Sequence, residues 1–99
     1  MALTGKQLRY LRGLAHHLKP VVLTGAAGLT DAVVEKVNVE LENHELIKVR
    51  IGEGPLNARE AAQPLGEATG AVVAQVIGRI VVLYKRRKKD PEIVLPKAD

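Results

Sequence analysis

The chain reads as one α/β domain with the element order αβαβαββ. Three observations carry that reading. Apolar residues recur at helical spacing between Leu8 and Leu18. Between Leu46 and Ile51 the residues Ile47, Val49 and Ile51 alternate with Lys48 and Arg50. Two β-rich runs, 71–77 and 80–84, flank Gly78-Arg79. With 99 residues, 46% of them hydrophobic, there is material for one core, and no linker divides it.

The first helix opens on a capping-box pattern, Thr4 with Gln7, and Leu3 is placed to staple onto Leu8. Turning 100° per residue puts Leu8, Leu11, Leu14, Ala15 and Leu18 within one buried arc. Lys6, Arg9, Arg12 and His16 fall on the opposite arc, which carries no acid. Pro20 ends this helix. Val21-Val22-Leu23 reads as an interior strand, and Gly25-Ala26-Ala27-Gly28 as a tight loop after it.

Thr30 caps the second helix, with Leu29 stapling onto Val34. It runs to about residue 43, with Val33, Val34, Val37 and Leu41 inward and Asp31, Glu35, Glu40 and Glu42 outward. The strand 46–51 follows, then a turn or mobile loop at Gly52-Glu53-Gly54-Pro55. Asn57 and Glu60 repeat the capping box and open a third helix to about Thr69, with Gly70 beyond it. Pro64 inside that helix predicts a kink or a later start. Glycine at the first of two central positions makes Gly78-Arg79 a type II′ hairpin, pairing Ile77 with Ile80, Val76 with Val81 and Gln75 with Val82. Residues 1–89 form the domain, and 90–99, with two prolines, read as a loosely held tail.

Composition removes several functions. Without cysteine there are no disulfides, thiolate metal sites or cysteine nucleophiles. Serine is absent too, and the three histidines show no metal-ligand spacing. The acids of the second helix are solvated, with no apolar pocket to raise a pKa. No enzyme, cofactor or metal is expected. Phe and Trp are missing, which argues against modules that stack bases on an aromatic platform. The N-terminus has no apolar signal region, and the most apolar stretch, 71–84, is short and interrupted by Gln75, Gly78 and Arg79. A soluble, cytoplasmic protein without membrane contact is expected.

The net charge is +4, and the charge is segregated. Residues 1–20 hold four bases and no acid, residues 79–89 hold six bases and no acid, and residues 31–46 hold five acids against Lys36. Such asymmetry favours an oriented surface for a polyanion. Gly25–Gly28, between a strand and a helix N-terminus, adds a place where backbone amides can approach a phosphate. KH domains clamp single-stranded RNA with a GxxG loop. No Gly-Lys-Ser/Thr follows, so the loop is not a P-loop, and its spacing is not that of a dinucleotide fold.

Several separated blocks resemble the CRM domain family. They are the run from Leu11 through His16, His17 and Pro20 to Gly25-Ala26-Ala27-Gly28-Leu29-Thr30, then His44-Glu45-Leu46-Ile47-Lys48-Val49, then Thr69-Gly70-Ala71 leading to Gln75-Val76-Ile77-Gly78 and Val82-Leu83-Tyr84. In length the chain is similar to the stand-alone bacterial YhbY-like members. The resemblance implies a two-layer α+β fold with a four-stranded mixed sheet and three helices, similar to the C-terminal domain of bacterial translation initiation factor three. It also implies an RNA-binding module associated with precursors of the large ribosomal subunit, with Gly25–Gly28 as the RNA-contacting loop. The expected function is a monomeric accessory factor in ribosome assembly that binds structured or single-stranded ribosomal RNA. Ala26 and Ala27 leave backbone amides as that loop's only donors.

The expected RNA surface joins Lys6, Arg9, Arg12, His16 and Lys19 to Gly25, Ala26, Ala27 and Gly28, with Lys48, Arg50, Arg79, Lys85, Arg86 and Arg87 as further members. Lys48 and Arg50 equally fit the solvated side of a strand, and Tyr84 fits either base stacking or a buried strand position. The rival reading is a protein-interaction module docking through the acidic helix 31–43.

Overall fold

The computed structural model describes residues 3–98. Met1, Ala2 and Asp99, which belong to the ranges 1–89 and 90–99, lie outside the described residues. The elements are α1 (Gly5–Ala15), β1 (Pro20–Thr24), α2 (Asp31–His44), β2 (Leu46–Ile51), α3 (Ala58–Thr69), β3 (Val72–Ile77) and β4 (Ile80–Tyr84). The four strands form one sheet in the order β1-β2-β4-β3. β1 runs parallel to β2 and the other pairings are antiparallel, so the sheet is mixed. This is the predicted αβαβαββ order with three helices.

Local signals account for the helix ends. Both capping boxes form: Thr4 Oγ1 accepts from the Gln7 amide and Asn57 Oδ1 from the Glu60 amide, and each third-position side chain returns the bond. Thr30 caps α2 through the Val33 amide. The hairpin has the predicted register, with Gly78 at φ 56° and Arg79 outside the left-handed region, as a type II′ turn requires. α3 starts at Ala58 and runs unbroken through Pro64, so the later start does not occur. Pro64 lies on the exposed side of the helix, where water can satisfy the carbonyl one turn back.

The two-layer expectation is corrected to three layers. β2 and β4 are apolar on both faces, so each face needs cover. Ile47, Val49, Ile51, Val81 and Leu83 pack against Val37 and Leu41 of α2 and Ala58, Ala61 and Leu65 of α3. On the opposite face Leu46, Ala74, Val82 and Tyr84 pack against Leu11 and Ala15 of α1. Ile93 and Leu95 complete that second cluster.

Three further expectations change. β1 is an edge strand, not an interior one: it pairs only with β2, and Leu23 is 65% exposed. α1 ends at Ala15, before Pro20, so Leu18 lies beyond the helix, and Leu14 and Leu18 are 39% and 38% exposed. The last residues are not loosely held. Glu45 accepts hydrogen bonds from the amides of Arg87, Glu92 and Ile93 at 2.9, 2.7 and 2.9 Å. Gln7 Nε2 donates to the Pro96 carbonyl at 3.0 Å. Composition favours disorder for this segment, but apolar burial and a fixed carboxylate outweigh it. No helix among the described residues is long and apolar enough to cross a membrane.

Candidate nucleic-acid interface

The sheet separates charge by face. In β2 the side chains of Leu46, Lys48 and Arg50 point to the α1 side, as do Ile80, Val82 and Tyr84 in β4. α1 itself carries Lys6, Arg9 and Arg12 and no acid, and no acid occupies a sheet position facing it. The helices on the other side, α2 and α3, carry six acids against Lys36 and Arg59. The α1 layer is therefore basic, whereas the acids of α2 and α3 are offset at the C-terminal ends of those helices by Lys85, Arg86, Arg87 and Lys88.

Arg12, His16 and Lys48 come together around a recess of about 360 Å³, with Gly13, Gln75 and Ile77 completing its walls. Arg12 Nε donates to the Ala74 carbonyl at 3.0 Å, which fixes the guanidinium against β3. Lys48 Nζ donates to the Leu18 carbonyl at 3.0 Å and ties β2 to the segment after α1. Arg50 lies two residues further along the same face of β2. Arg79 is at the hairpin tip, its carbonyl accepting from the Ile51 amide at 2.7 Å. Lys6 and Arg9 are exposed on the outer side of α1. Lys19 is exposed as well, but it borders a different, mainly apolar groove with Leu14, Leu18 and Val21.

Gly25–Gly28 closes a turn in which the Gly28 amide donates to the Gly25 carbonyl at 3.0 Å. Ala26 and Ala27 are exposed, whereas Gly28 is buried. The turn rests on a second glycine loop, Gly52–Pro55. Gly28 sits at φ +76°, and a Cβ there would lie 3.0 Å from Pro55 Cγ. A Cβ on Gly52 would come within 2.5 Å of the Thr24 carbonyl oxygen. Two acids flank this arrangement, Asp31 in the first turn of α2 and Glu53 between Gly52 and Gly54. The loop therefore offers amides in a less positive setting than the α1 face.

The remaining cations sit apart. Residues 85–89 follow β4 at the sheet end opposite Gly25–Gly28, about 20 Å away along the strands. Lys85 Nζ donates to the Thr69 carbonyl at 2.8 Å, at the C-terminus of α3. Arg87 Nη1 donates to the Glu42 and Asn43 carbonyls at 3.2 and 3.3 Å, at the C-terminus of α2. Both are placed where helix dipoles favour a cation. Arg87 also pairs with Glu92 at 3.1 Å. Arg86, Lys88 and Lys89 are exposed.

Tyr84 takes the buried alternative at 2% exposure, so base stacking is closed to it. Burial, and next the charge of Glu45, push its phenol above the usual range. The exposed aromatic is Tyr10 of α1. Sequence reasoning also missed Glu45 and Gln75. Glu45 gives no local signal, because its partners are more than forty residues away. Gln75 does give one, as a polar residue inside an apolar run. Among the described residues no three His, Asp or Glu side chains come together as metal ligands.

A small α/β domain whose α1 side gathers Lys6, Arg9, Arg12, Lys48 and Arg50 presents a basic surface suited to a polyanion. The chain belongs to the CRS1/YhbY (CRM) domain family, whose pattern matches residues 3–85. It is 38% identical over 95 residues to the Bacillus subtilis (strain 168) protein named "Probable RNA-binding protein YqeI", covering 95% of this chain and 99% of that one. It is 40% identical over 96 residues to a Haemophilus influenzae protein named "RNA-binding protein", covering 96% of each. The solution structure of hypothetical protein SAV1595 from Staphylococcus aureus superposes with a TM-score of 0.80 at 40% identity, covering 96% of this chain and 100% of that one.

Proposed function

We propose that this protein binds RNA through its α1 face, as a monomeric, non-enzymatic accessory factor of ribosome assembly in the cytoplasm. The observation that carries the RNA reading is the face itself: Lys6, Arg9, Arg12, Lys48 and Arg50 share one side of the sheet with no acid among them. Lys and Arg there neutralise phosphates, and the exposed amides around Ala26 and Ala27 hold the strand's register at the sheet end. The names of the bacterial relatives support the same partner. Ribosomal RNA, and the large subunit in particular, rest on the family resemblance. Residues 1–89 act as the binding unit, and 90–99 include the strap that closes its second core.

Filter binding of single-stranded RNA across a salt series tests the reading. With about five phosphates neutralised, log K against log salt should slope by about −3.5. A slope near zero, or no retention at low salt, contradicts it. The acidic outer face of α2 and α3 supports the second reading, a protein-docking surface. Retention of a basic protein partner by a chain that holds no RNA would favour that reading instead.

A further inference from the structure

We infer that the recess beside α1 is a single-nucleotide subsite in which Gln75 reads the edge of an unpaired RNA base; the inference rests on the RNA reading above. The β3–β4 register slips between Val73 and Gln75, a bulge in β3. Ala74 packs into the α1-side cluster, and Gln75 pairs with Val82, whose side chain is in that same cluster. The bulge thus turns two consecutive residues toward α1, an arrangement that re-aims a side chain at the expense of regular pairing. The first of them, Ala74, holds Arg12 through its carbonyl at 3.0 Å. The second, Gln75, is half-buried, and its amide makes no hydrogen bond to any described residue.

A half-buried amide without a protein partner is poised for a ligand with one donor and one acceptor side by side, as every base edge presents. The surroundings fit the rest of a nucleotide. Arg12, His16 and Lys48 supply nitrogen donors for a phosphate. Ile77 is 58% exposed and gives an apolar surface for a base face. Gly13 leaves the helix wall open, with nothing within 4 Å of a Cβ built there. At about 360 Å³ the recess is within the range of small-ligand sites.

Binding of a single-stranded RNA octanucleotide and of inorganic polyphosphate, a polyanion without bases, tests the inference. The variants are Gln75→Met, which keeps the side chain's length, and Gly13→Leu, which fills the recess from a position where helix propensity favours the change. Each variant should bind the octanucleotide about tenfold more weakly than the parent, the loss expected for one base contact, while polyphosphate binding is unchanged in Gln75→Met, which leaves the recess's cations in place. Unchanged RNA affinity in both variants, or an equal loss for the two polyanions in Gln75→Met, overturns the subsite and leaves the RNA reading standing. A parent protein that binds polyphosphate but not RNA overturns both.

Discussion

Glu45 is the residue that ties the C-terminal segment to the end of α2. It follows α2 at φ 62° and ψ −39°, a backbone conformation unfavourable for a side chain other than glycine. Its side chain is completely buried. Three amides and the Arg87 charge compensate the buried carboxylate, while the Glu45 carbonyl accepts from the Lys85 amide at 2.8 Å. Burial alone would raise its pKa, but the amides of Arg87, Ile93 and Glu92 and the Arg87 charge together bring it below the ordinary 4.5. A depressed carboxylate contributes stability that is fully present above the unfolded value and is lost as pH falls through the folded one. Urea denaturation should therefore show stability falling below about pH 4.5. Glu45→Gln should cost about 1–3 kcal/mol at neutral pH, because its NH₂ group faces an amide donor, and should flatten the acid dependence. An unaltered acid profile in Glu45→Gln would show that other carboxylates set it.

At the scale of elements, what the sequence made legible was local. Thr4 with Gln7 and Asn57 with Glu60 lie within one helical turn, and Gly78-Arg79 sets its own hairpin register. The misread parts depend on distant partners. Val21-Val22-Leu23 is apolar enough for an interior strand, yet only the final sheet order makes β1 an edge. Residues 90–99 look like a tail until Glu45 and the α1-side cluster are placed beside them. The candidate site follows the same division. Each cation was legible singly, but Lys48 and Arg50 join Arg12 only through the sheet's facing, and Lys85 and Arg87 are drawn to two helix C-termini. Neighbours in this basic run should consequently behave differently. Arg87→Met should lower stability in urea by about 1–3 kcal/mol, since it removes charge-assisted bonds at a mostly buried position. Arg86→Met should leave stability within about 0.5 kcal/mol. Equal effects of the two changes would contradict the capping role of Arg87.

The whole molecule is a sheet between a basic α1 layer and an α2/α3 layer in which six helix acids are balanced by Lys36, Arg59 and the residues that follow β4. The basic side is narrow: α1, the outward positions of β2, and the hairpin tip at Arg79. The positive field of the α1 layer attracts a polyanion, which raises the rate of encounter at low salt. Gly25–Gly28 stands at the border between the faces, with Asp31 and Glu53 beside it, and positions a strand more than it attracts one. Gly28→Asp is a poor test of that loop, because Gly28 is buried at φ +76° against Pro55. Ala26 and Ala27 are the exposed positions to vary. The most direct measurement is titration of single-stranded RNA into ¹⁵N-labelled protein, following each backbone amide by NMR. The expected shifts gather on Lys6–His16, Lys48–Arg50, Gly25–Gly28 and Gly78-Arg79, with Glu35, Glu42 and Glu67 on the outer helices quiet. Shifts centred on α2 and α3, or none at low salt, would contradict an RNA-binding α1 face.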